Sequence, residues 1–285
     1  KTRNRWATRV SERMVQRGIL WKESGQSVDF YTIQNYHQLR TRLGSLTGDE
    51  EMFLGVFKNA PFYAVHCTDS GSVVNKKEEL IIYSRKKLIE KNILFNADNT
   101  QPIDLSLLAN DDYVFFSLEV GKELKKNSSR FGSVFFKIPY SHPVFRNSSM
   151  VLTDQVTLCK STCRIPGLSQ KACELLSARE FNGLKIFFNG KMMSLLGLAY
   201  SIILDNRSLP VADQKIVLSA RTTTELSNVV NSFFRPEIRV PKMVGIHSGD
   251  FCKHMEHVTE QEEYLYDSDC ELDIGESESD SEGWG

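Results

Sequence analysis

Long hydrophobic runs are missing from this sequence of 285 residues. The longest uncharged apolar stretch, Met192 to Leu204, is bounded by Lys191 and Asp205. It falls well short of the roughly 20 residues that a membrane-spanning helix needs, so no membrane span is expected and the stretch reads as a buried helix. Cysteine is sparse: there are six, none in a CxxC pair, which excludes a small disulfide-stapled scaffold and suits a reducing compartment at the site of action. Glycine-rich phosphate loops are absent, with neither GxxxxGK(S/T) nor GxGxxG. Nucleoside-triphosphate and Rossmann readings therefore have no motif behind them. The chain starts at Lys1 without a charged n-region, apolar h-region and cleavage site; a trimmed N-terminus, and with it any targeting signal, is the expectation.

What is present is enough for a folded core. Hydrophobic residues make up 41% and charged residues 25%, which fits one large globular domain or two small ones. The formal charge of -1 hides an asymmetry. From Glu260 to Gly285 there are 11 Asp/Glu and no Lys/Arg, leaving 35 basic against 25 acidic side chains in residues 1–259. A basic body attracts nucleic acid, anionic lipid, an acidic protein or an anionic cofactor, and charge alone does not choose among them.

Residues 1–25 place Trp6, Val10, Met14 and Ile19 near helical spacing among five arginines, the pattern of a basic amphipathic helix. A second helix is expected over Ile33–Leu46. From Met52 onward β-rich runs take over at Phe62–Cys67, Tyr113–Val120, Ser133–Ile138, Leu184–Asn189, Gln214–Leu218 and Glu237–Val244. Helical segments are expected near Glu78–Lys91 and Lys171–Arg179. The fold class is α+β, with mainly antiparallel strands and helices packed against them. The expected domains are a basic helical segment at 1–50, a main domain at 51–258 and an acidic tail at 259–285 too poor in apolar residues to fold.

Chemistry-bearing residues concentrate in three places. PFYAVHCTDSGS ends a strand in His66 and Thr68, which alternation puts on one face. Cys67 beside His66 faces the other way, which excludes a Cys–His dyad. DDYVFFSLEVGKELKKNSSRFGSVFFKIP follows a segment carrying Tyr83, Ser84 and Arg85 and supplies two aromatic strands, with Phe115 and Phe116 on the first and Arg130 and Phe131 before the second. FFRPEIRVPKMV sets Glu237 at the entrance of an Ile/Val strand, after Pro236 and near Arg235 and Arg239.

In this order the pieces resemble the ADP-ribosyltransferase superfamily, in the branch with a His–Tyr–Glu type of NAD site. VHCT matches the first-strand motif, VFFS the aromatic strand, SSRFG the segment after it and the Glu237 strand the late glutamate strand. The resemblance covers roughly Met52 to Val244 by order of elements. It implies a split antiparallel sheet, NAD as co-substrate and Glu237 as the catalytic carboxylate. His66 and Thr68 would hold the adenosine side and its ribose, Phe116 would stack on nicotinamide with Phe115 beside it among the cofactor-binding residues, and Arg85 or Arg130, with Phe131 near, would meet the pyrophosphate. The aromatic slot holds Phe where the family usually has Tyr, and no Glu lies two positions before Glu237, which disfavours arginine-directed transfer of the cholera-toxin kind.

The same stretch is similar to type III-secreted bacterial effectors that modify host proteins. It implies a secreted enzyme acting in the host cytosol, or otherwise a cytoplasmic one, with a protein substrate and in some cases a host activator; nucleic acid is not the expected partner. Two other readings stand beside it: an inactive binding module of the same fold, and an enzyme like the RNA 2′-phosphotransferases. Glu225, after Thr222–Thr224, competes as the carboxylate, although a helix-capping role explains it. Asp250, Cys252, His254 and His257, with His247 nearby, lack the spacing of a zinc site, and no metal is expected.

Overall fold

The computed structural model describes residues 28–69, 73–97, 105, 110–123, 125, 129, 131–153, 162–179 and 187–255. The N-terminal basic helix, Arg130, residues 184–186 of one expected strand, and His257 with the acidic tail lie outside the described residues.

The described residues begin with two helices, α1 (Val28–Leu43) and α2 (Gly48–Lys58), and β1 (Phe62–Thr68) follows. Next come β2 (Leu80–Tyr83), α3 (Arg85–Glu90), β3 (Tyr113–Val120), β4 (Val134–Pro139) and β5 (Ser149–Val151). Then follow α4 (Gln170–Ser177), β6 (Phe187–Asn189), α5 (Lys191–Asn206), α6 (Val211–Leu218) and α7 (Thr223–Phe233). The last described elements are β7 (Glu237–Pro241), β8 (Met243–Ile246) and β9 (Cys252–Met255). Seven strands form one sheet in the order β6-β5-β7-β3-β1-β4-β9, and β2 pairs with β8 in a second. Every pairing is antiparallel, so the α+β expectation holds.

Alternation divides the large sheet into two unlike faces. Phe62, Ala64, Phe116, Leu118, Phe136, Ile138, Met150, Phe188 and Ile238 point one way into a core completed by Phe53 and Phe57 of α2, Leu198 and Ile202 of α5, and Val229 and Phe233 of α7. Each large side chain buried there stabilises the fold by roughly 1.5–3 kcal/mol. The other face carries one row that crosses the whole sheet: Cys252, Lys137, Val65, Ser117, Glu237, Val151 and Phe187. Lys137 is buried there, its ammonium 2.5 Å from Glu119 Oε2 and 2.7 Å from the Glu123 carbonyl.

Three expected elements are corrected. Glu78–Lys91 does not form one helix: Leu80–Tyr83 is β-branched enough to pair with β8, and Ser84 caps α3 by accepting from Lys87 N. Tyr83, Ser84 and Arg85 thus sit at a strand-to-helix junction. Gln214–Leu218 is helical, the end of α6, whose start is set by Pro210; a short apolar run cannot by itself distinguish strand from helix. Glu237–Val244 is broken at Lys242, whose φ of 66° turns the chain from the large sheet into the small one. The expected boundary between residues 50 and 51 falls inside α2. α1 is also tied to the main body: Asn35 Nδ2 donates to the Phe187 carbonyl at 2.8 Å and Thr32 Oγ1 accepts from Asn189 N at 2.7 Å.

Candidate functional site

β1 and β3 separate partway along their length. They pair from Phe62↔Val120 to Val65↔Ser117, after which β1 continues to Thr68 against β4 and β3 continues to Tyr113 against β7. Between neighbouring strands of one sheet this opens a seam, with His66, Cys67 and Thr68 on one lip and Tyr113 to Phe116 on the other.

His66 stands at the point of separation. Its Nδ1 lies 2.9 Å from the Phe115 carbonyl, and because a carbonyl only accepts, Nδ1 carries the proton. The imidazole takes the place of a ladder hydrogen bond that the separated strands no longer make. Burial holds its pKa below the usual histidine value, opposed by the bond to Phe115. The ring is therefore neutral at pH 7, with Nε2 as a lone-pair acceptor.

Glu237 lies level with the start of the seam, paired with Ser117. Its carboxylate is about 30% exposed, and Oε1 accepts from Arg239 Nε at 3.1 Å and Nη2 at 3.0 Å. Arg239, two residues along β7 and so on the same face, is only 2% exposed. Its Nη1 donates to Asn110 Oδ1 at 2.9 Å, and its guanidinium stacks 5.4 Å from the centre of the Phe115 ring. Ser117 is exposed although it sits on a central strand. The sheet is thus uncovered where Ser117 and Glu237 adjoin the seam.

The register divides these residues between the two faces of the sheet. Glu237, Ser117, Phe115 and Arg239 share one face; His66 and Phe116 point to the other. Phe116 is 2% exposed and edge-on to Phe145 at 5.4 Å. It is a core residue, so the ring available beside Glu237 is the half-buried Phe115. Thr68 ends β1 opposite Val134, and Gly132 packs so closely on its backbone that a Cβ there would lie 2.1 Å from Thr68 C. That approach brings exposed Phe131 to the Thr68 end of the seam. Arg85 donates to the Ala97 carbonyl at 3.3 Å and covers Phe95 at 5.1 Å, contacts within its own loop.

Sequence reasoning did not assign roles to Asn110 and Arg239. For Arg239 the signal was the two-residue spacing from Glu237 on a strand; Asn110, 129 positions away from it, left none. Glu225 belongs to the cap of α7: its Oε2 accepts from the backbone of Thr222 at 2.9 Å and of Arg221 at 2.8 Å. A separate groove of about 410 Å³ between the end of α2 and the start of α7 is lined by Gly55, Asn59, Pro61, Arg221, Thr223 and Leu226. It contains none of the expected site residues.

No protein-family model matches the chain, and no curated protein matches it either.

Proposed function

We propose that the chain is an NAD-dependent protein ADP-ribosyltransferase with Glu237 as its catalytic carboxylate. One observation carries the reading: the strands bearing Glu237, Phe115 and His66 are consecutive neighbours, β7-β3-β1, and the last two part beside Glu237. Three of the motifs that carry the resemblance in sequence thus lie on neighbouring strands, which supports the reading. His66 and Glu237 face opposite sides of the sheet, so a ligand that meets both has to reach through the end of the β1–β3 pairing.

The chemistry asks for few groups. Breaking the bond between nicotinamide and ribose develops oxocarbenium-like positive charge, which a carboxylate beside the anomeric carbon stabilises. Glu237 is exposed enough to reach it. Neutral His66 accepts a hydrogen bond from a ribose hydroxyl through Nε2, Thr68 adds a hydroxyl on the same lip, and Phe115 offers a ring to nicotinamide. Arg85 and Arg130 remain the candidates for the pyrophosphate, with Phe131 at that end. The acceptor is a protein, and by the same resemblance the enzyme is a bacterial effector acting in a host cell. Among the described residues no helix is long and apolar enough to cross a membrane.

The inactive-module reading has its own observation, since the ion pair to buried Arg239 is also how a purely structural carboxylate is held. Two measurements separate the readings. Isothermal titration detects NAD binding, and labelled NAD incubated with acceptor proteins detects transfer. Glu237→Gln is expected to abolish transfer with little change in the thermal melt; undiminished transfer removes the assignment, and an unmodified chain that neither binds NAD nor transfers label leaves the inactive module.

A further inference from the structure

Arg239 is held more tightly than a surface counter-ion needs. Arg239 is 2% exposed, and its guanidinium donates twice to one oxygen of Glu237 and once to Asn110 and lies over the Phe115 ring. Three elements thereby fix it: β7, β3 and the 3₁₀ turn Asn110–Asp112. A glutamate at a strand entrance has three side-chain torsions, and nothing in the strand itself selects among them. Two donations converging from the Nε and Nη2 edge of a fixed guanidinium on one oxygen do narrow the choice, because they set where Oε1 lies.

We infer that Arg239 is the positioning residue of the transferase site, holding the Glu237 carboxylate in its reactive orientation, with Asn110 and Phe115 orienting Arg239 in turn. This rests on the proposed function, and it adds a residue that touches neither NAD nor acceptor. The donations bind Glu237 through Oε1, so the carboxylate is oriented before the ligand arrives and does not have to be recruited by it.

Lys137 provides the control, being another buried cation on the same sheet face, with contacts to Glu119 and Glu123 instead of Glu237. Transfer kinetics are measured for the unmodified protein and for Arg239→Lys, Arg239→Ala, Asn110→Ala and Lys137→Met, each with its melting temperature. Arg239→Lys keeps the charge but loses the fork; it is expected to lower kcat about 10–100-fold while KM for NAD changes less than about threefold, as lost orientation of one catalytic group does. Asn110→Ala is expected to lower kcat less, in the same direction. Guanidinium ion at millimolar concentration is expected to restore part of the activity of Arg239→Ala, which a merely destabilised protein does not show. Lys137→Met is expected to lower the melting temperature with kcat per folded molecule unchanged.

If Arg239→Lys retains kcat, or loses activity only in proportion to its folded fraction as Lys137→Met does, the inference is overturned while the transferase reading stands. An unmodified protein that neither binds NAD nor transfers ADP-ribose overturns both.

Discussion

Val65 and Ser117 are the last residues at which β1 and β3 lie paired before the two strands part. Val65 is buried, whereas Ser117, opposite it on the central strand, is exposed. The sheet is thus open on one lip of the seam, directly beside Glu237. Ser117→Tyr places an aromatic ring there. Tyrosine suits a strand and the position is exposed, so stability should change by no more than about 0.5 kcal/mol. NAD affinity is expected to fall at least about tenfold in isothermal titration, a magnitude corresponding to roughly 1.4 kcal/mol. Unaltered affinity would move the dinucleotide away from the seam.

His66 gives a pH signature. Its folded-state pKa lies below the ordinary histidine value because burial disfavours the imidazolium. As pH falls below about 6.5 the unfolded chain takes up a proton that the folded chain refuses, so this group removes stability as pH drops, down to its lowered folded pKa. The melting temperature should therefore fall between pH 7 and pH 5.5, and His66→Gln should flatten that slope. Parallel slopes in the two proteins would show that the buried imidazole is not the group responsible.

Much of the fold was legible because its strands are aromatic, alternating and bounded by polar turns: Tyr113–Val120 was expected to the residue, and β1 to within one. The buried helix expected at Met192–Leu204 is the centre of α5, apolar on nearly every side because α1, α2 and β6 all pack on it. The failures share a cause. LIIY and the IVL of residues 216–218 are both short apolar runs, yet the first pairs with β8 and the second ends α6; only the distant partner decides, and pairing between positions 80–83 and 243–246 leaves no local mark. Motif order singles out Glu237 and His66 as candidates, whereas which of Phe115 and Phe116 lies on the Glu237 face needs the register, because adjacent residues on a strand differ only in the face they take.

Gly132 is expected to be intolerant for two separable reasons. Its φ of 132° lies in the region that side chains rarely adopt, and a Cβ would overlap the Thr68 backbone at 2.1 Å. Gly249 has a similar positive φ of 95° but nothing within 4 Å of an added Cβ. Gly249→Ala should thus cost only conformational strain, about 1 kcal/mol, whereas Gly132→Ala adds overpacking for a total of about 2–4 kcal/mol. Urea denaturation measures both. Because the overlap displaces Thr68, Gly132→Ala should also weaken NAD binding at temperatures where the protein remains folded. Equal costs at the two positions would mean that the approach to Thr68 relaxes freely.

Glu50 and Arg207 join α2 to the end of α5, and their pairing decides how the N-terminal helices are held. Arg207 donates through Nε to Oε1 and through Nη2 to Oε2, both at 2.7 Å, and through Nη1 to the Leu43 carbonyl at 2.6 Å. The carboxylate is 4% exposed and the guanidinium 30%, so removing the arginine strands a charge away from water. Arg207→Met should cost about 2–3 kcal/mol, somewhat below a fully buried pair because the arginine is partly solvated. The Arg207 side chain holds the Glu50 pKa below the usual carboxylate value. Its stabilisation is therefore present above the ordinary carboxylate pKa and lost as pH falls through the lowered one. In Arg207→Met that depression is gone and desolvation pushes the carboxyl up instead, so protonation relieves the stranded charge and the acid-induced loss should shrink or reverse. The double variant Glu50→Met with Arg207→Met removes both charges and should recover at least half of the single variant's loss, because the stranded carboxylate is then gone. Additive losses in that cycle would mean that the two side chains stabilise the fold independently, through their contacts to Thr47 and Leu43 rather than through each other.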